Sequence, residues 1–239
     1  MGMTARVALL PGLVCDAAVW EHARAALAPR VDVHIPQYGE LDSLGAMAEK
    51  VLAELPGNFA VAGHSMGGRI ALEVQRRAPE RITGIALLDT GAQSLAPGDA
   101  GAREAAGRHE LLAIARTQGM AAMAARWVQG MVYPPRLAEQ PLISGIIDMF
   151  ARSSAVVFAA QIRALLARPD ATSVLDAIRC PALVLCGADD SWAPASRHRE
   201  MAARIRNATL TVVPECGHMC TLERPDAVTR ALLDWHASI

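Results

Sequence analysis

Residues 58–79 read Asn-Phe-Ala-Val-Ala-Gly-His-Ser-Met-Gly-Gly-Arg-Ile-Ala-Leu-Glu-Val-Gln-Arg-Arg-Ala-Pro, and their reading decides the fold. The stretch opens on a short apolar run, FAVAG, that reads as a buried strand. It closes as an amphipathic helix that stops before Pro79. Between them lies Gly63-His64-Ser65-Met66-Gly67, a G-x-S-x-G pattern. A strand that turns sharply into a helix forces its apex residue into a strained conformation, which only small neighbours tolerate. The Ser65 hydroxyl then stands clear of the sheet, at the positive end of the following helix. A plain Gly/Ser turn before a helix is the competing reading. The strand before it, the helix after it and the second small residue Gly68 favour the sharper one.

Outward from this stretch the chain alternates. Residues 5–10 (ARVALL), 31–36 (VDVHIP), 82–88 (ITGIALL), 181–186 (PALVLC) and 208–213 (ATLTVV) read as strands. Helices are expected over 17–27, from Ser43 to Leu55, over 195–205 and from Pro225 onward. Such alternation at short intervals is the signature of a parallel α/β sheet. The rhythm breaks between 93 and 177, where helices over 102–117, 119–130, 137–152 and 154–167 predict a helical insertion. The expected organisation is therefore a core of 1–92 and 178–239 with an insertion of 93–177.

Composition narrows the classes. The chain has 239 residues, 52% of them apolar, enough for one large core. A net charge of −1 carries no electrostatic footprint for nucleic acid or an anionic membrane. Five cysteines and no leader-like N-terminus lead to the expectation of a reducing, cytoplasmic compartment. Cys216 and Cys220 flank His218, but no second ligand pair follows, so no metal is expected. No run approaches about 18 uninterrupted apolar residues, so no membrane span is expected.

A serine hydroxyl is a weak nucleophile at neutral pH. It needs a base to take its proton and a carboxylate to hold that base in the right tautomer. In an open parallel sheet functional groups gather at the carboxyl ends of the strands. Ser65, Asp190 and His218 sit at such ends, in the chain order that accompanies this kind of elbow. Asp89, at another strand end, is a second candidate for the acid. Aspartates are also common in turns, so Asp189 and Asp190 have a bland reading too.

The blocks LLPGLVCDAAVW (9–20), GHSMGGRIALEVQRRAPERITGIALLD (63–89), LVLCGADDSWAP (183–194) and VVPECGHMCTLERPDAV (212–228) resemble the α/β-hydrolase superfamily, close to its small bacterial esterase-like members. The resemblance covers about residues 5–237. It implies a mostly parallel sheet of about six strands with helices on both faces and a helical cap. It also implies hydrolysis of an ester-like bond through an acyl-serine, with no cofactor. By position Ser65 would be the nucleophile, His218 the base and Asp190 the acid, by the family's Gly-x-x-Asp spacing from Gly187. The backbone N–H groups of Leu13 and Met66 would form the oxyanion hole. Members often carry His-Gly where this chain has Pro11-Gly12, which alters the loop's support but not the backbone donor.

The expected substrate is a small, uncharged, largely apolar ester. No arginine cluster near Ser65 can be placed from sequence, which disfavours a phosphorylated or polyanionic one. Val14, Trp192, Met219, Met123, Trp127, Met149 and Phe158 are the candidate pocket residues, though about half of the positions in the insertion are expected to be plain helix packing. A thioesterase or lactonase would use the same groups. A non-catalytic ligand-binding protein on the same scaffold is the rival from another class. Oligomeric state is not legible.

Overall fold

A computed structural model describes residues 5–239. Among them run β1 (Arg6–Leu10), α1 (Glu21–Leu27), β2 (Asp32–His34), α2 (Leu44–Glu54), β3 (Phe59–His64), α3 (Met66–Arg77) and β4 (Ile82–Leu88). Five helices follow: α4 (Gly98–Gln118), α5 (Met120–Trp127), α6 (Gln140–Ala151), α7 (Ala155–Leu166) and α8 (Thr172–Ala177). The chain then returns to β5 (Ala182–Gly187), α9 (Ala195–Arg204), β6 (Ala208–Val213), α10 (Cys220–Glu223) and α11 (Pro225–His236).

All six strands pair in parallel, in the order β2-β1-β3-β4-β5-β6. Every residue of β3 and of β5 is buried, as central strands covered on both faces require. Helices α1 and α11 pack together on one face, while α2, α3, α8 and α9 form the layer on the other. The α/β-hydrolase fold and the six-strand parallel sheet expected from sequence are the architecture observed. The register pairs Leu10 with Gly63, His64 with Leu88, Leu88 with Leu185 and Gly187 with Val213. Five strands therefore end along one edge, and the loops that follow them share one rim.

Local chemistry sets most boundaries. The Ser43 side chain accepts from the Ala46 N–H at 3.1 Å and starts α2. Helix α3 ends at Arg77, ahead of Pro79. Four expected elements differ; the helix expected over 119–130 ends at Trp127 and closes as a 3-10 turn, Val128–Gly130. Strand β2 is only three residues long, because it lies at the sheet edge and Pro36 has no N–H to offer a ladder. The helix expected over 17–27 begins as a 3-10 turn, Ala17–Trp20, because Asp16 caps Ala18 N at 2.9 Å. The helix expected over 137–152 is broken at Glu139, which separates a 3-10 turn at Pro134–Ala138 from α6.

Among the described residues no single helix is long and apolar enough to cross a membrane. Helices α6 and α7 are both apolar but meet at a 93° bend, and each turns a phenylalanine into the cavity described below.

Candidate active site

Ser65 caps α3 with φ 55° and ψ −115°, a left-handed conformation that costs a non-glycine residue on the order of 1–3 kcal/mol. The sequence around it permits this. A Cβ on Gly63 would collide with the backbone of Gly67, and one on Gly67 with the carbonyl of Leu10. The turn is held from two sides. Ser65 N–H donates to Leu88 O at 2.8 Å, and Thr90 Oγ1 donates to Ser65 O at 2.7 Å. The Met66 N–H, first in its helix, has no intrahelical acceptor.

Beside this apex lies the loop after β1. The point where a Cβ on Gly12 would sit is 3.3 Å from Ser65 Cβ and 3.1 Å from His64 Nδ1. The loop turns at Val14, whose φ of 51° is unusual for a β-branched residue. Its N–H donates to Gln161 Oε1 of α7 at 2.8 Å. Leu13 therefore lies between an anchored turn and the serine.

Three side chains form one hydrogen-bonded series. His218 Nε2 is 2.9 Å from Ser65 Oγ, and His218 Nδ1 is 2.8 Å from Asp190 Oδ2. Asp190 Oδ1 accepts from Trp192 N–H and Ala193 N–H, each at 2.9 Å. Burial opposes charge on Asp190, but His218 and these two donors hold its carboxyl down to about 2. Burial likewise opposes charge on His218, and the Asp190 carboxylate outweighs it, so the imidazole titrates above its ordinary range. Asp189, by contrast, is exposed.

Asp89 is fully buried and points elsewhere. Its oxygens accept from Gly187 N–H at 3.0 Å and Cys220 N–H at 3.3 Å. Burial and the nearby Asp190 push it up to about 8. His64 is held down to about 4 by burial and by His218, and as a neutral ring it donates Nε2–H to the His218 carbonyl at 2.8 Å. Both residues brace the loops and stand back from the serine hydroxyl.

Glu223 is a residue that sequence reading missed. Only 1% exposed, it accepts from Tyr133 N–H at 2.9 Å, Gly217 N–H at 3.0 Å and Met219 N–H at 3.1 Å. It thus fixes both neighbours of His218 and ties them to the helical insertion. His218 N–H completes the link by donating to Met131 O at 2.6 Å. The only sequence signal is a Glu five residues after the histidine, which by itself reads as an ordinary helix residue.

The series opens into a cavity of about 1020 Å³ between the sheet edge and the insertion. Of the candidate pocket residues Trp127, Phe158, Trp192 and Met219 line it, together with Leu13 and Met66. Trp192 stacks on Trp127 at 5.6 Å and reaches over His218 at 5.0 Å, and Trp127 meets Phe150 and Phe158 at 5.3 and 5.7 Å. Val14, Met123 and Met149 do not line it. The anchored turn holds Val14 in the core, Met123 is sealed where α5 packs on α4 and α6, and Met149 lies one step round the helix from the cavity-facing Phe150.

The wall is less apolar than the candidate pocket residues imply: six arginines, among them Arg69, Arg126, Arg168 and Arg197, contribute to it. They come from elements far apart in sequence. Arg69 alone carried a local signal, lying one helical turn after Ser65. The wall holds one thiol, Cys15, which burial and Asp16 push far up, so it is not a thiolate. Among the described residues no group of three or more His, Cys, Asp or Glu side chains is placed to hold a metal ion.

Known proteins resemble this arrangement. The chain is 30% identical over 205 residues to the dihydrolipoyllysine-residue acetyltransferase component of the acetoin cleaving system of Pseudomonas putida, covering 82% of this chain and 50% of that protein. It is 33% identical over 88 residues to a pimeloyl-[acyl-carrier protein] methyl ester esterase of Nitrosomonas europaea, covering 34% of this chain and 35% of that protein. The matched stretches thus span half or less of both curated relatives. A thermophilic esterase of Thermogutta terrifontis, solved with malate bound, superposes with a TM-score of 0.86 at 26% identity, over 99% of this chain and 91% of that one. The alpha/beta hydrolase family model matches residues 7–231, nearly the whole length, and the chain belongs to that family.

Proposed function

We propose that this protein is a serine hydrolase that cleaves a carboxylic ester through an acyl-serine intermediate. The observation that carries the reading is the unbroken series Ser65 Oγ–His218–Asp190, mounted on a strained apex at the mouth of a cavity. His218 Nε2 takes the Ser65 proton as Oγ adds to the ester carbonyl. The oxyanion that forms is met by the N–H groups of Met66 and Leu13, dipoles already in place before reaction. Asp190 stabilises the imidazolium and keeps Nδ1 protonated. The imidazolium then protonates the leaving alcohol. Water, deprotonated by the same nitrogen, releases the acid and restores the serine. The aromatic wall of Trp127, Phe150 and Phe158 supports an apolar group on one side of the ester, each buried methylene contributing about 0.8 kcal/mol.

The test is turnover of a generic aryl ester by wild type and by Ser65→Ala. The variant is expected to fold normally and to lose on the order of 10³-fold or more in kcat. Near-normal turnover by the folded variant contradicts the assignment.

A further inference from the structure

One part of the cavity wall is cationic beyond what its own carboxylates neutralise. Arg69 projects from α3, one turn beyond Ser65, and its Nη1 donates to Gln93 O at 2.8 Å. Arg197 projects from α9, and its Nη1 donates to Trp192 O at 3.2 Å. The two converge over Gly91. Arg69 Nη2 and Arg197 Nη1 lie 3.3 and 3.4 Å from the point where a Cβ on that glycine would sit. Gly91 thus lets both side chains pack in, since a Cβ there would meet Arg197 Cδ at 2.9 Å.

Neither arginine has an acidic partner. Among the described residues no carboxylate lies within 4.0 Å of Arg69 or Arg197. Behind them Arg168, 8% exposed, also reaches Gln93 O, at 3.4 Å. Its Nη1 and Nη2 hold the Glu104 carboxylate at 2.8 and 2.7 Å. Arg108 takes an oxygen of the same carboxylate at 2.8 Å. One glutamate therefore serves two guanidiniums, while two more go without. Glu110 and Glu200 also border the cavity, but both are exposed and neither pairs with these arginines. Burial, with Arg168 and Arg197 nearby, pushes Arg69 down to about 9, the mark of a cation held in a cationic, poorly solvated place. Arg69 and Arg197 are both half-buried and open to the cavity, so an anion bound there would relieve their mutual repulsion.

We propose that Arg69 and Arg197 form an anion subsite inside the active-site cavity, and that the ester cleaved at Ser65 carries a free carboxylate a few bonds from its scissile carbonyl. The planar fork of a guanidinium matches a carboxylate in two-point contact. Arg69 lies four residues after Ser65, in the first turn of α3, and lines the same cavity, so a short chain suits the reach from serine to subsite. The apolar wall takes the carbon chain and the arginines take its charged end. This deepens the esterase reading given above and rests on it.

The experiment compares the monomethyl esters of glutaric, adipic and pimelic acid with methyl alkanoates of matching chain length, following acid release at constant pH. Wild type is expected to favour a half-ester about tenfold or more in kcat/KM. Arg69→Met and, independently, Arg197→Met are expected to bring that ratio to about one, with the change mainly in KM. Arg197→Met lies on a surface helix, so the test survives if the first variant does not fold. Binding of glutarate and adipate to Ser65→Ala is measured by calorimetry, with inorganic phosphate as the competing anion. Dicarboxylate binding that is lost on Arg69→Met supports the subsite even if no ester is cleaved, in which case the esterase reading alone fails. Equal hydrolysis of half-esters and alkanoates by wild type overturns the subsite and leaves the esterase reading intact. Phosphate binding tighter than either dicarboxylate overturns the choice of a carboxylate.

Discussion

At the scale of single residues, protonation governs the proposed chemistry. His218 acts as a base only when neutral, and Asp190 raises its pKa above the ordinary value of about 6.5. Activity is therefore lost as pH falls through that raised value, and kcat/KM is expected to climb from mildly acid pH to a plateau above neutrality. A flat profile with chemistry limiting would speak against a histidine base. Stability runs the opposite way. A histidine whose folded pKa is raised contributes stability below its unfolded value and loses it as pH rises through the folded one. The two buried aspartates are expected to separate on substitution. Asp190→Asn should cost several orders of magnitude in kcat, as loss of the group that orients the base does, and Asp189→Asn almost nothing. Asp89→Asn should act mainly on stability, through Gly187 and Cys220, and is read by comparing Tm with kcat. That Ser65, Asp190 and His218 meet is legible in sequence, because each follows a strand and parallel strands end together. The work of Asp89, His64 and Glu223 is not, because their partners are backbone groups brought in from other loops.

At the scale of elements, the helical insertion does more than roof the cavity. Helix α7 sends Gln161 to the Val14 N–H, and so fixes the loop that carries the proposed Leu13 donor. Gln161→Leu leaves that buried N–H unsatisfied, at a cost of about 1–3 kcal/mol in stability. It is expected to lower kcat about tenfold or more for a small aryl ester while KM changes little, because the loop loses its anchor and the oxyanion one of its donors. A rise in KM alone would place Gln161 in substrate binding and leave the loop unaffected. Helices of this insertion were readable from their apolar faces and from breaks at Gly119, Pro134-Pro135 and Ser153-Ser154. Which face meets the cavity was not. Met149 and Phe150 are adjacent and equally apolar, and only packing against α5 decides that Phe150 faces inward.

At the scale of the whole molecule, the sheet gathers chemistry that the chain disperses. Loops after β1, β3, β4, β5 and β6 bring Leu13, Ser65, Asp89, Asp190 and His218 to one rim. The insertion closes that rim with an aromatic wall and contributes Arg168 and Glu104 to a cationic one. An alternating strand and helix pattern suffices to read the first part. The second depends on contacts between residues as far apart as Arg69 and Arg197, which no local pattern encodes. The central claim is that Ser65 is an activated nucleophile. It is tested most directly by treating the protein with an aryl fluorophosphonate and measuring intact and peptide mass. One adduct per chain is predicted, on Ser65, absent from Ser65→Ala and slowed on the order of 10³-fold or more in His218→Ala. An unmodified Ser65 in folded protein, or an adduct on another residue, would contradict it.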